Sequence, residues 1–146
     1  MIASILLGSL MMVSTIVIEA FILGVAIHML VNYGNLLVRL PLISRTIILL
    51  SGLSLWMLLG ISIGIWLWAL LFVFLEEFAT IHDAFYFSTV TATTLGYGDL
   101  LLSDKWESLS GILAANGLFL FSLNTAFIFE AFRRILDQET SIKRNR

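Results

Sequence analysis

The chain has 146 residues, 60% of them hydrophobic and only 12% charged. Soluble domains are about half apolar and about a quarter charged, so this composition excludes a soluble domain and indicates an integral membrane protein. The net charge of −2 says little as a sum, while the absence of cysteine excludes disulfides and thiolate metal sites.

The first apolar stretch, roughly Ile2 to Val31, is long enough to cross a bilayer as a helix, which takes about 20 residues. No basic residue precedes Arg39, and the apolar run is about twice the roughly 7–15 residues of a cleaved signal, so a retained helix is expected. Glu19 interrupts this span with no basic residue at matching depth. A lone carboxyl there is costly and is a functional hypothesis by default. It is expected to be protonated, or hydrogen-bonded to Thr15 or Ser62, in a structural or interface role; a proton relay is the alternative. His28 is nine residues on, about 180° around a helix, so the two do not form one site.

Pro41, the single proline, falls in the link that closes an N-terminal unit of residues 1–45, where a helix break is expected. A second span runs roughly from Thr46 to Leu75 without a charged residue. The stretch after it is too short and too polar to cross: Glu76, Glu77, His82 and Asp83, then Ala84 to Thr93, then a glycine-containing segment. Non-helical backbone at membrane depth is tolerated only where protein or water covers it, so a short re-entrant helix and an extended loop are expected. A third span runs roughly from Leu109 to Phe132, with Glu130 near its end and a short basic tail at 133–146. The 14 residues after Phe132 are too few for a ligand-binding domain, and no span carries the arginine series of a voltage sensor.

Arg39 and Arg45 lie between the first two spans, and Arg133, Arg134, Lys143, Arg144 and Arg146 follow the third, so seven of eight basic residues share one face. Lys and Arg excess marks the cytoplasmic side, which puts the N-terminus and the loop from Glu76 to Glu107 outside. Six of the ten acids (Glu76, Glu77, Asp83, Asp99, Asp104, Glu107) are in that loop. There they would concentrate cations, or serve as ordinary solvated loop acids.

Residues Thr93 to Asp99 read Thr-Thr-Leu-Gly-Tyr-Gly-Asp. Two glycines bracketing one aromatic reach backbone angles closed to other residues, and such a chain can turn successive carbonyl oxygens toward one line. A row of carbonyls is what a dehydrated alkali cation needs in place of its water. The segment resembles the selectivity filter of potassium channels, and roughly Leu55 to Phe132 follow the order of a two-span potassium-channel pore. The first span lies outside that pattern, and Leu95 stands where the family carries Val.

The resemblance implies roles residue by residue. Thr94 would offer hydroxyl and carbonyl to the innermost ion site, and Leu95, Gly96 and Tyr97 would offer carbonyls above it. Gly96 and Gly98 would supply conformation, and the Tyr97 ring would brace the filter. Asp99 would sit at the outer end, hydrogen-bonded behind the filter, with the Tyr86 hydroxyl as a candidate partner. Tyr86 and Phe87 stand where the family often has tryptophans. Val90 stands where some members carry Glu, so inactivation that relies on a carboxylate pair is not expected. The Leu95 side chain, unbranched at Cβ, is expected to pack behind the filter against the pore helix and to alter filter rigidity, or to be absorbed as a neutral swap. Gly117 lies near the family's hinge glycine or only permits close packing, and a helical period from it puts Phe121, Asn124 or Thr125, and Ile128 on one candidate cavity face. Glu130 would attract potassium or gate at the inner mouth, or simply pair with Arg133 or Arg134.

The expected fold is an all-α membrane protein: three transmembrane helices plus a re-entrant pore helix and extended filter, with residues 46–132 as the pore unit. One chain supplies one filter strand, so a homotetramer in membrane lipid is expected, in the cell inner or plasma membrane. The expected function is passive conduction of K+, the permeant ion, with no cofactor, no nucleic acid and no substrate beyond cations. No catalytic constellation is visible, so no enzyme activity is expected. The alternatives are a cation channel of relaxed K+/Na+ selectivity and a non-conducting scaffold subunit.

Overall fold

The computed structural model describes the backbone of residues 2–37 and 41–144, and side chains over 2–32, 41–134 and 136–137. Among the described residues the chain is all helical: α1 (Ile2–Leu37), α2 (Leu42–Phe74), α3 (Ile81–Ala92) and α4 (Ser108–Arg144). Three of these are long and apolar enough to cross a membrane, over Ile2–Asn32, Leu42–Phe74 and Ser108–Arg134, and the chain is an integral membrane protein. Arg39 and Arg146, on which the expected orientation partly rests, lie outside the described residues, as do the side chains of Lys143 and Arg144.

Helix ends follow local chemistry. Pro41 occupies the N-cap position of α2 in an extended conformation (φ −54°, ψ 145°), so the second helix begins four residues earlier than Thr46. The last helix does not stop at Phe132. It continues to Arg144, and pairs spaced four residues apart, Glu130–Arg134 (2.9 Å) and Arg133–Asp137 (4.0 Å), line its exposed surface beyond the apolar stretch.

The far end of α2 finishes differently. Glu76 N donates to Val73 O and Glu77 N to Phe72 O (both 3.0 Å), with Glu76 left-handed at φ 59°. That is a Schellman cap built on glutamate where glycine is the usual residue.

The helix register can be read from contacts. Trp56 Nε1 donates to Ile22 O (3.0 Å), Gly60 faces Glu19, and Gly64 faces Thr15, so α1 and α2 run antiparallel. Ser4 Oγ donates to Lys105 O (3.1 Å), Gly8 faces Leu109 and Ile112, and Thr15 meets Asn116, so α1 and α4 run parallel. The α1 residues in this seam are Ser4, Gly8, Met11, Thr15, Glu19, Ile22 and Ala26, all buried or half-buried. Six steps span 22 residues, about 3.7 per turn, which keeps one face of a nearly straight helix against its neighbours. Small and polar residues dominate it, as expected where lipid removes any hydrophobic drive between helices.

An aromatic cluster holds α3. Phe72 of α2 meets Phe87 edge-on (5.3 Å, 83°) and Phe78 of the loop edge-on (6.3 Å, 89°), with Trp68 beside it (5.9 Å). Ala69 and Ala84, both fully buried, let α2 and α3 approach closely.

Candidate functional site

The site is the end of α3 and the seven residues after it. The start of α3 is set by Thr80, extended at φ −123°, whose hydroxyl accepts from Asp83 N (3.1 Å) and donates to Asp83 Oδ2 (2.7 Å). This cap satisfies a first-turn N–H and starts the helix at Ile81.

At the other end, one carbonyl organises the exit. Val90 O accepts from Leu95 N (2.9 Å), Gly96 N (3.2 Å) and Thr93 Oγ1 (3.2 Å), while Thr94 N donates to Thr91 O (2.9 Å). Val90 therefore contributes its backbone oxygen, and its side chain is buried. From Thr93 to Asp99, φ is positive at Thr94 (59°), Gly96 (56°) and Gly98 (75°) and at no other residue. Hand thus alternates residue by residue. Alternation of this kind directs successive N–H groups to one side of the chain and carbonyls to the other. A Cβ at Gly96 or Gly98 would meet nothing within 4 Å, so these glycines serve backbone angle and not space. Thr94 lacks that freedom, and its left-handed conformation costs about 1–2 kcal/mol.

All seven residues are exposed on the single chain. Leu95 is 57% exposed, which corrects the expectation that its side chain packs on the pore helix: α3 grips its N–H, and the side chain points elsewhere. The Tyr97 ring is likewise exposed on the single chain.

Behind the loop, Tyr86 Oη donates to Asp99 Oδ2 at 2.8 Å, joining the residues the sequence suggested as partners. That hydrogen bond, followed by burial and the nearby carboxylate charge, holds the phenol above the ordinary tyrosine pKa. Phe87 is buried in the aromatic cluster. A cavity of about 360 Å³ lies beside the loop, between Tyr86, Val90 and Thr91 of α3 and Ser110, Gly111 and Ala114 of α4.

Sequence reasoning missed Glu77, whose carboxylate accepts from Ser103 N and Ser103 Oγ (both 2.7 Å) and ties the end of α2 to the chain beyond the loop. Of the six outer acids, Glu77, Asp83 and Asp99 are engaged in such bonds.

On α4, a Cβ at Gly117 would collide with the Ala92 carbonyl, so this glycine lets the inner helix press against the last turn of α3. The expected common face divides. Phe121 and Thr125 are exposed, with the Thr125 hydroxyl donating to Phe121 O (2.8 Å), and Ile128 is half-buried. Asn124 is buried (4% exposed) and turns toward α1, because Glu19 faces it there. Glu130 accepts from Arg134 Nε at 2.9 Å, the simple pairing among its expected alternatives.

Two apolar spans enclosing a short re-entrant helix, followed by an exposed loop of alternating hand, define a helical membrane pore-loop protein. Residues 60–134, just over half of the chain, match the sequence model of the ion channel family, and the chain belongs to that family. No curated protein and no solved structure matches it.

Proposed function

We propose that the chain is one subunit of a homotetrameric, potassium-selective channel that passes K+ passively down its gradient. The observation that carries this reading is the alternation of hand from Thr94 to Gly98. With the N–H groups of Leu95 and Gly96 turned back to Val90 O, the carbonyls of Thr94, Leu95, Gly96 and Tyr97 are free on the other side. Carbonyl rings replace a potassium ion's hydration shell, and one chain supplies only one oxygen per ring. The exposure of Leu95 and Tyr97 supports the same assembly, since large apolar side chains beside a polar loop call for neighbouring chains to cover them.

Residues 46–132 then form the pore unit, 1–45 an added helix and 133–146 a cytoplasmic extension. The basic ends of the second and third spans face the cytoplasm of a cell inner or plasma membrane. Conduction follows from adjacent sites with ions displacing one another, and needs no cofactor or catalysis. Gly98 and Asp99 hold the outer end of the filter, Asp99 through Tyr86.

Flux from purified protein in liposomes under opposed potassium and sodium gradients tests this. A reversal potential that follows potassium is expected. A reversal potential between the two ions would replace this reading with a cation channel of relaxed selectivity. Silence across voltage and pH would favour a scaffold subunit. Leu95→Val, measured at low and high external potassium, decides whether the side chain sets filter stability; identical kinetics would make it a neutral swap.

A further inference from the structure

Glu19 lies in α1, outside the residues that match the ion channel family, and is 1% exposed. Its carboxyl is seated by a glycine: a Cβ at Gly60 would come within 2.5 Å of Oε2. Its other neighbour is the Asn124 side chain of the inner helix, itself 4% exposed. Three buried polar atoms here lack a partner at hydrogen-bonding distance and angle: Glu19 Oε1, Asn124 Nδ2 and Asn124 Oδ1. Unsatisfied buried polar groups are rare in native proteins, and each one calls for an explanation.

Hydrogen-bond valence supplies one. An ionised carboxylate only accepts, so it satisfies Asn124 Nδ2 but sets its lone pairs against those of Asn124 Oδ1. A protonated carboxyl donates its O–H to Oδ1 and accepts from Nδ2 through its other oxygen. These two antiparallel bonds satisfy all three atoms with small side-chain rotations.

Among the described residues, no counter-charge competes with this pairing. The residues facing this stretch of the seam are Gly60 and Gly64 of α2 and Asn116, Leu120 and Asn124 of α4, none of them titratable. Arg45 of α2 lies 15 residues from Gly60, about 22 Å along the helix. On α4, Glu130 lies six residues from Asn124, about 9 Å, and is paired with Arg134. His28, on α1 itself, lies nine residues from Glu19, about 13 Å, with Asn32 as its partner (2.8 Å).

We propose that Glu19 and Asn124 form a proton-binding site that clasps α1 to the inner helix, and that conduction follows its proton occupancy. With the proton bound, α1 and α4 are joined by this acid–amide pair, one turn along α1 and about two along α4 from the Thr15–Asn116 pair. Loss of the proton leaves a bare carboxylate among apolar helices. Hydrating it requires α1 and α4 to part at Asn124, between Phe121 and Thr125 on the helix assigned to line the pore. The coupling to conduction rests on the channel reading; the proton site does not.

The test uses the full chain in liposomes, with infrared difference spectra recorded across pH alongside potassium flux. The wild type should show the carbonyl stretch of a protonated carboxylic acid that persists well above the range of exposed acids and is lost at alkaline pH. Glu19→Gln, whose amide keeps the paired geometry, should lack that band and hold flux at the wild-type acid level at every pH below the range in which tyrosine ionises. Asn124→Ala should shift the band, because the carbonyl loses its amide donor. A band that survives in Glu19→Gln, or is absent from the wild type, overturns the proton site. A titrating band with identical pH–flux curves in wild type and Glu19→Gln overturns the coupling. A correct band in a protein that passes no ion supports the site and strikes down the channel reading instead.

Discussion

The loop after α3 and the seam between α1 and α4 use polar groups in opposite ways. In the loop, the functional groups are backbone: alternating φ, three donors converging on Val90 O, and side chains left exposed. In the seam, the backbone is ordinary helix and the chemistry belongs to buried side chains, Thr15, Glu19, Asn116 and Asn124. A backbone site tolerates many side chains but few changes of φ. A side-chain site tolerates isosteres but not loss of a donor or acceptor. The two regions should therefore fail in different ways when mutated.

The largest effect is expected at Gly96. Its φ of 56° places any replacement in the left-handed region, at about 1–2 kcal/mol for each copy. No atom opposes a Cβ there, so Gly96→Ala should leave the chain folded and assembled. Selective flux should fall at least tenfold, while cross-linking still reports the same oligomer. Normal flux from Gly96→Ala would mean that alternation of hand is not what the loop requires.

The seam is tested by Asn116→Leu. Asn116 Nδ2 donates to Thr15 Oγ1 (2.8 Å), and the single hydroxyl proton of Thr15 has both Asn116 Oδ1 (3.1 Å) and Met12 O (2.9 Å) in reach, so the threonine keeps an acceptor after the change. Interhelical hydrogen bonds in membranes are worth about 0.6–2 kcal/mol, so unfolding in detergent should show a loss of about 1 kcal/mol. Ion selectivity should be unchanged. A change in selectivity would show that the seam and the loop are one device.

Tyr86→Phe probes the side-chain bond that anchors the outer end of the loop. The phenol's raised pKa means its bond to Asp99 contributes fully below the free tyrosine value near 10 and is lost as pH rises through the folded value. In a Glu19→Gln background, which removes the carboxyl titration, flux should hold to about pH 10 and then decline. Flux from Tyr86→Phe in the same background should be reduced at neutral pH and flat across the alkaline range. An alkaline decline that persists in the variant would assign the titration to another group.

The same contrast explains what could be read from sequence. Three apolar runs and the re-entrant segment were legible because length and hydropathy act locally, while the Tyr86–Asp99 pairing came only from the resemblance of the loop to a channel filter. The start of α3 was also available, in the Thr80–Asp83 cap three residues apart. The position of α1 was not, because its partners lie in two other helices, those on α4 about 100 residues away, and lipid hides any apolar pattern that would mark an inward face. For the same reason Asn124 was grouped with Thr125, its neighbour in sequence, although burial separates them. Thr15 and Ser62, the suggested partners of Glu19, bond Asn116 and Leu58 O instead. Thr94 and Glu76 gave no sign of positive φ, since neither is a residue type that favours it.

Glu76 carries the smallest predicted effect and separates backbone from charge at the outer face. Its φ of 59° in the cap of α2 is strained for glutamate and free for glycine. Glu76→Gly should relieve about 1 kcal/mol of that strain, partly offset by the greater freedom of glycine in the unfolded chain. The cap aims Glu77 at Ser103, and glycine keeps that geometry. Thermal unfolding should therefore stay level or rise slightly. Conduction is then a clean readout of charge, since the backbone is unchanged or improved. If single-channel or liposome flux falls at low ionic strength and recovers with salt, the Glu76 carboxylate concentrates cations at the mouth. If flux is indifferent to salt, Glu76 is there only because it caps a helix. Glu76→Asn, neutral but tolerant of the left-handed region, should behave as glycine does if charge is the cause.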